Sequence, residues 1–230
     1  MAGEARGSAP GSVDRRWRVL RRLAGRHAGF FTTRQVLRAG CEARVRAALA
    51  EGTVRRAGVG ILRLSEWPEG PLDEYAMWSA WFDGAVAVSH HSAADLHGLG
   101  RLRPRFLHLS VGAGRPPVTP RLVVLRRALP AADLESAGAF LVTTPVRTVV
   151  DLAETDIGQA ALDEVVRDAV VIGRCTHDEI ATPQALSSSA RPPVCAVRWT
   201  GCDQRGATAD HGTDSTLSRI RLRYSRTGKP

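Results

Sequence analysis

The 230-residue chain carries 32 basic against 23 acidic side chains, and its longest apolar runs, such as Ala85–Val88, are far too short to cross a bilayer. The charge is unevenly placed: residues 1–64 hold 14 Arg against Glu4, Asp14, Glu42 and Glu51, a net +10, while the other 166 residues sum to −1. Cys41, Cys175, Cys195 and Cys202 are scattered without a CxxC pair and no secretory pattern opens the chain, which argues against a disulfide scaffold and makes a reduced cytoplasmic interior the expected compartment.

The first 13 residues read as a disordered N-terminus. From Asp14 to Ala24, Trp17, Leu20, Leu23 and Ala24 recur at helical spacing while Arg15, Arg16, Arg18, Arg21 and Arg22 take the remaining surface. A membrane-surface helix anchored by Trp17 is the alternative, but the apolar stripe is narrow and better used as core. After Gly29, Thr32-Thr33 supply caps for a short helix Arg34–Arg38 with Val36 and Leu37 pointing inward. Ala39-Gly40 turns the chain into a third helix, Glu42–Ala50, with Val45, Ala48 and Leu49 buried and Arg44 and Arg46 facing out. Thr53–Arg56 and Ile61–Leu64 then flank a glycine-bearing tip as a hairpin. Short helix, tight turn, helix and basic hairpin make a winged helix-turn-helix over residues 14–66.

That assembly places the third helix in the major groove of double-stranded DNA, at a promoter or operator, with Arg44 and Arg46 nearest base edges or phosphates and Arg55 and Arg56 on the flanking backbone. Arg34 and Arg38, on the preceding helix, complete the candidate DNA-binding set. Charge concentrated against its own repulsion fits such a polyanion, with plain solvation as the bland alternative.

Residues 71–181 read as a small mixed α/β domain, so the fold class is α+β. Pro71 opens a helix Leu72–Phe82 stopped at Gly84; Ala85–Ser89, Phe106–Val111, Leu122–Leu125 and Phe140–Thr143 are four strands of one sheet. A helix Ala93–Leu99 lies between the first two. Thr144-Pro145 starts a helix Val146–Ala153, and Gly158–Val171 buries Leu162, Val165, Val166, Ala169 and Val170. His90, His91, His97 and His108 lack a carboxylate at a recognised ligand spacing and read as structural or surface residues, with His90 and His91 on different faces; Arg147 and Asp151 read as a helix-face ion pair. Cys195, Cys202 and His211 match no common zinc spacing. No catalytic residue, metal site, cofactor, small-molecule substrate or membrane partner is expected, and no phosphate loop or nucleophile elbow is present. From Thr182 the apolar period is lost, so 182–230 is expected to be mostly disordered, with a remnant helix at 214–226.

Two stretches resemble a known family. His90-His91-Ser92-Ala93-Ala94-Asp95-Leu96-His97-Gly98-Leu99 and Val142-Thr143-Thr144-Pro145-Val146-Arg147-Thr148-Val149-Val150-Asp151-Leu152-Ala153 look like signature segments of actinobacterial AbiEi antitoxins, and Phe31-Thr32-Thr33-Arg34-Gln35-Val36-Leu37 matches that family's winged-helix entry. The resemblance, from about Trp17 to Glu179, implies a type IV toxin–antitoxin protein that represses its own operon and opposes a nucleotidyltransferase-type toxin encoded nearby. Where relatives carry a Gly-Val-Tyr wing segment this chain has Gly58-Val59-Gly60-Ile61-Leu62, so contacts of a wing tyrosine do not carry over. Asp214–Arg219 through Pro230 looks like the opening helix of a very-short-patch-repair-like endonuclease domain whose metal-binding residues would lie downstream. A truncated member of such a nuclease-fused family, without nuclease activity, is therefore one alternative. A protein-interaction module neutralising the toxin is the other.

Overall fold

The computed structural model describes residues 10–114, 119 and 121–181, so the expected tail, with its cysteines and its remnant helix, lies outside the described residues. The fold is α+β, in two compact units: one from the described residues of Met1–Ala87, Gly112–Pro117 and Gly138–Leu141, the other from those of Val88–Val111, Val118–Ala137 and the chain from Val142.

In the first unit the order is α1 (Pro10–Gly25), β1 (Phe30–Thr32), α2 (Thr33–Ala39), α3 (Glu42–Ala50), β2 (Val54–Gly58), β3 (Ile61–Leu64) and α4 (Asp73–Trp81). The winged-helix plan is present, with α1 starting at Pro10 rather than Asp14. Thr32 caps α2 reciprocally: its hydroxyl accepts from Gln35 N at 3.2 Å and Gln35 Oε1 accepts from Thr32 N at 2.8 Å. Gly40, in the left-handed region at φ 62°, then reverses the chain between α2 and α3.

The three strands form an antiparallel sheet in the order β1-β3-β2, with Phe30 opposite Arg63, Arg55 opposite Arg63 and Arg56 opposite Leu62. Both faces of this sheet are covered. Phe31, Val54, Leu62 and Leu64 join Leu20, Ala24, Val36, Val45 and Ala48 in the helical core, whereas Phe30 and Ile61 pack on Ala76 and Ala80 of α4. Two-sided burial abolishes the apolar–polar alternation by which a three-residue strand would be recognised. It also puts α4 in the first unit rather than at the start of a domain beginning at residue 71.

Leu37 is not inward as expected: it is 63% exposed, because a helix of only seven residues lends the core a narrow face, taken here by Gln35 and Val36.

Most of a five-stranded sheet, order β6-β5-β4-β8-β7, falls in the second unit, from β4 (Val86–Val88), β5 (Leu107–Val111), β6 (Leu122–Arg126), β7 (Leu134–Ser136) and β8 (Leu141–Thr143). The β7 strand is additional to the four expected; its three residues, only partly buried, carry no run of β-formers. Helices α5 (His90–His97), α6 (Pro145–Ala153), α7 (Gln159–Val171) and α8 (His177–Ala181) complete the unit. Its core joins Leu99, Leu152, Val165, Val166 and Ala169, whose side chains are essentially inaccessible.

Candidate nucleic-acid interface

The arginines of the first unit divide by what they touch. Arg63 is 2% exposed: its guanidinium donates to both Asp73 carboxylate oxygens (2.6 and 3.0 Å), to Pro68 O and to Ala28 O, and lies 4.4 Å from the Phe30 ring centroid. It is a buried strut between β3 and α4. Arg21 pairs with Glu66 at 2.6 Å, Arg38 with Asp83 at 2.7 Å, Arg44 with Glu51 at 3.2 Å and Arg55 with Glu69 at 2.9 Å.

These partners show why charge counted along the chain misleads. Over residues 1–87 the 14 Arg meet nine carboxylates, because Glu66, Glu69, Asp73, Glu74 and Asp83 lie just past residue 64 and fold back into the same unit.

The six candidate DNA-binding arginines are therefore not equivalent. Arg34 and Arg38 share one side of α2. Arg34 sits 5.8 Å from the Trp81 ring centroid, and Arg38 forks onto Asp83, which also accepts from Gln35 Nε2 at 2.6 Å. Burial raises the Asp83 carboxyl, but hydrogen bonds from Arg38 and Gln35 and the charges of Arg38 and Arg34 outweigh it, leaving its pKa lowered. Arg44 is wedged between Glu51 and Trp17, 5.4 Å from that ring centroid. Successive strand residues point to opposite faces, so Arg55 and Arg56 diverge. Arg55 shares the α4-covered face with Arg63, and Arg56 shares the helical face with Leu62. Among the described residues Arg34, Arg46 and Arg56 make no ion pair and are exposed, and of these Arg46 and Arg56 lie on α3 and on the helix-facing side of the wing.

Helix α1 stands outside the candidate set drawn from the sequence, yet it adds cations to this unit's surface. Arg15, Arg18 and Arg22 line its outer face and Arg16 reaches over the α2–α3 turn, its Nη1 standing 3.1 Å from where a Cβ on Gly40 would project. The available signal is five arginines within residues 15–22, a density that an ordinary solvated helix face also shows.

The second unit buries its charge. Arg147 is 2% and Asp151 0% exposed: Arg147 Nε donates to Asp151 Oδ1 at 2.8 Å, Arg127 Nη1 reaches the same oxygen at 3.1 Å, and Arg147 also pairs with Asp133. The expected helix-face pair is thus an interior one, because α6 is covered on both sides. Burial pushes the Asp151 carboxyl up, and Arg147 and Arg127 offset only part of that. His90 and His91 do not diverge as expected; both rings approach His108, at 6.4 and 4.9 Å between centroids. His90 adopts φ 53°, a left-handed backbone that swings its side chain away from its regular helical direction. Its Nδ1 lies 3.0 Å from Ser89 Oγ, and burial first, then the charges of His108, Arg127, His91 and Arg147, push its pKa down to about 3. Among the described residues no group of three or more His, Cys, Asp or Glu is placed to hold a metal ion, and no helix is long and apolar enough to cross a membrane.

Residues 18–65 match the family described as "Transcriptional regulator, AbiEi antitoxin", and residues 85–198 match the "AbiEi antitoxin C-terminal domain". The crystal structure of the RV2827C protein from Mycobacterium tuberculosis is similar to this chain, at 19% identity over 80% of this chain and 73% of that one, with a TM-score of 0.45. No curated protein matches. With both matched segments in place, and both signature stretches within them, the chain belongs to the AbiEi antitoxin family.

Proposed function

We propose that this antitoxin binds duplex DNA in the promoter of its own operon through α3 and the wing, represses that operon in the cytoplasm, and opposes a nucleotidyltransferase-type toxin, without itself being an enzyme. The observation that carries the DNA reading is the pair Arg46 and Arg56, exposed and without a carboxylate partner among the described residues, on the helix and hairpin that a winged helix turns toward a duplex. Arg46 takes base edges or phosphates in the major groove and Arg56 the flanking backbone. Arg34 and Arg16 extend the contact to phosphates beside the helix-turn-helix. Arg38, Arg44 and Arg55 contribute less, because each must first leave a carboxylate.

The test is a mobility shift on the chain's own upstream duplex. Arg46→Ala with Arg56→Ala is expected to weaken binding by at least about tenfold, and the salt dependence of log K to flatten by roughly 2, one unit for each phosphate that the variant no longer neutralises. Arg44→Ala alone is expected to cost less than either. Binding by the double variant equal to the wild type would refute the assignment of these residues.

A further inference from the structure

One strongly charged surface remains outside this footprint. The 16 residues of α1 span about 24 Å. Its core-facing positions are Leu20 and Ala24, with Trp17 and Leu23 beside them, and the opposite side carries Arg15, Arg18 and Arg22 at i, i+3 and i+7. Among the described residues these three form no ion pair, so their charge is uncompensated; the single polar contact is Arg18 Nε to the backbone oxygen of Asp14 at 3.3 Å.

The stripe borders an open groove of about 680 Å³, lined by Arg15, Arg18, Arg21, Arg22, Glu66 and Trp67. Glu66 is fixed in its wall by two hydrogen bonds from Arg21, at 2.6 and 2.8 Å. Trp67 is half-buried against the glycine turn before β1, and Val19, on the same outer side of α1, is 50% exposed.

This composition separates two polyanions. A phosphodiester backbone gains nothing from an exposed valine or the edge of an indole, and Glu66, already paired with Arg21, leaves the stripe's three cations free for either polyanion. Arginine, tryptophan and aliphatic groups together are what protein interfaces concentrate at their centres, with an acidic partner demanded by the uncompensated cations. We propose that the outer face of α1 with Glu66 and Trp67 is a docking surface for an acidic, partly apolar segment of a protein partner, separate from the duplex-binding surface. The inference stands on the α1 groove alone and does not require the duplex reading.

The probe is a fluorescein-labelled helical peptide of about 14 residues, roughly the length of α1, with Glu on one face and Leu on the other. It is titrated into the full chain by anisotropy, and the Trp67 indole N–H resonance, identified with Trp67→Phe, is followed in parallel. The full chain is expected to bind the peptide with movement of the Trp67 resonance. Arg15→Glu, Arg18→Glu and Arg22→Glu together are expected to weaken the peptide by at least about tenfold while duplex affinity stays within about threefold. The milder Arg→Gln set at the same positions, which perturbs helix stability less, is expected to give an intermediate loss. Arg46→Ala with Arg56→Ala is expected to leave the peptide unaffected. Peptide binding that survives charge reversal, or that leaves the Trp67 resonance unmoved, would overturn the proposal. So would a loss of duplex affinity as large as the loss of peptide affinity, since the stripe would then belong to the DNA footprint.

Discussion

Arg63 and Arg46 differ by a single fact, which side of a covered sheet or helix they occupy, and that fact decides whether a guanidinium holds the fold or faces a partner. Arg63 satisfies its donors on Asp73, Pro68 and Ala28 inside the first unit, so Asp73→Asn leaves a buried guanidinium, and Arg63→Met a partly buried carboxylate, uncompensated. Either is expected to cost about 3–5 kcal/mol, measured as the shift in urea unfolding relative to wild type. A cost under about 1 kcal/mol would mean the pair is not closed in solution. His90 supplies a pH test. Its folded pKa of about 3 lies below the free imidazole value near 6.5. Above pH 6.5 both folded and unfolded chains hold it neutral. Below that the unfolded chain takes up a proton that the folded chain refuses, so stability falls as pH drops from 6.5 toward 3. At pH 5.5 this residue alone costs about 1 kcal/mol, and His90→Asn, which tolerates the left-handed backbone, is expected to remove that part of the difference in unfolding free energy between pH 7.5 and 5.5. His27, His91, His97 and His108, all lowered chiefly by burial, add to the slope and remain in the variant.

At the scale of elements, the turn from α1 to β1 is set by Gly29, whose φ of 83° and lack of a side chain let Trp67 lie against the backbone; a Cβ there would come within 2.6 Å of the indole. Gly29→Ala is therefore expected to destabilise the first unit by about 2–4 kcal/mol, combining a left-handed alanine with a displaced Trp67, whereas Gly52→Ala, with open space around it, carries only the backbone part. Comparison of the two in thermal unfolding checks this. The helices α1, α2 and α3 are legible in the sequence because each pairs a one-sided apolar pattern with a glycine or threonine stop, and the wing strands because they flank the glycine-bearing tip Ala57–Gly60. Strand β1 is not, because Phe30 and Phe31 are buried on opposite faces of one sheet and so show no alternation. The same two-sided burial conceals that α4 belongs with the wing. The Arg147–Asp151 spacing is legible as a pair, but its place in the interior depends on Arg127, far upstream and invisible to any local pattern.

For the whole molecule, the charge summed along the chain overstates the surface that a polyanion meets. Five of the arginines in residues 1–64 are tied to carboxylates, four of these carboxylates from residues 66–83, and much of what remains outward lies on two surfaces: α3 with the wing, and the outer face of α1. The arginines assigned to DNA are legible in kind, as basic residues on a helix and hairpin, but not in rank, since which of them meets a carboxylate is set by tertiary contacts, with Asp83 and Glu69 both coming from beyond the expected winged-helix range. If Arg46 and Arg56 of the folded first unit engage the phosphates and base edges of a duplex, their removal must alter the salt response of binding. The most direct test is fluorescence anisotropy of the full chain on its own upstream duplex between about 50 and 200 mM salt, beside the Arg46→Ala, Arg56→Ala variant. Log K is predicted to fall steeply and linearly with log salt, with a slope shallower by about 2 in the variant; a flat salt response, or identical slopes for the two proteins, would contradict it.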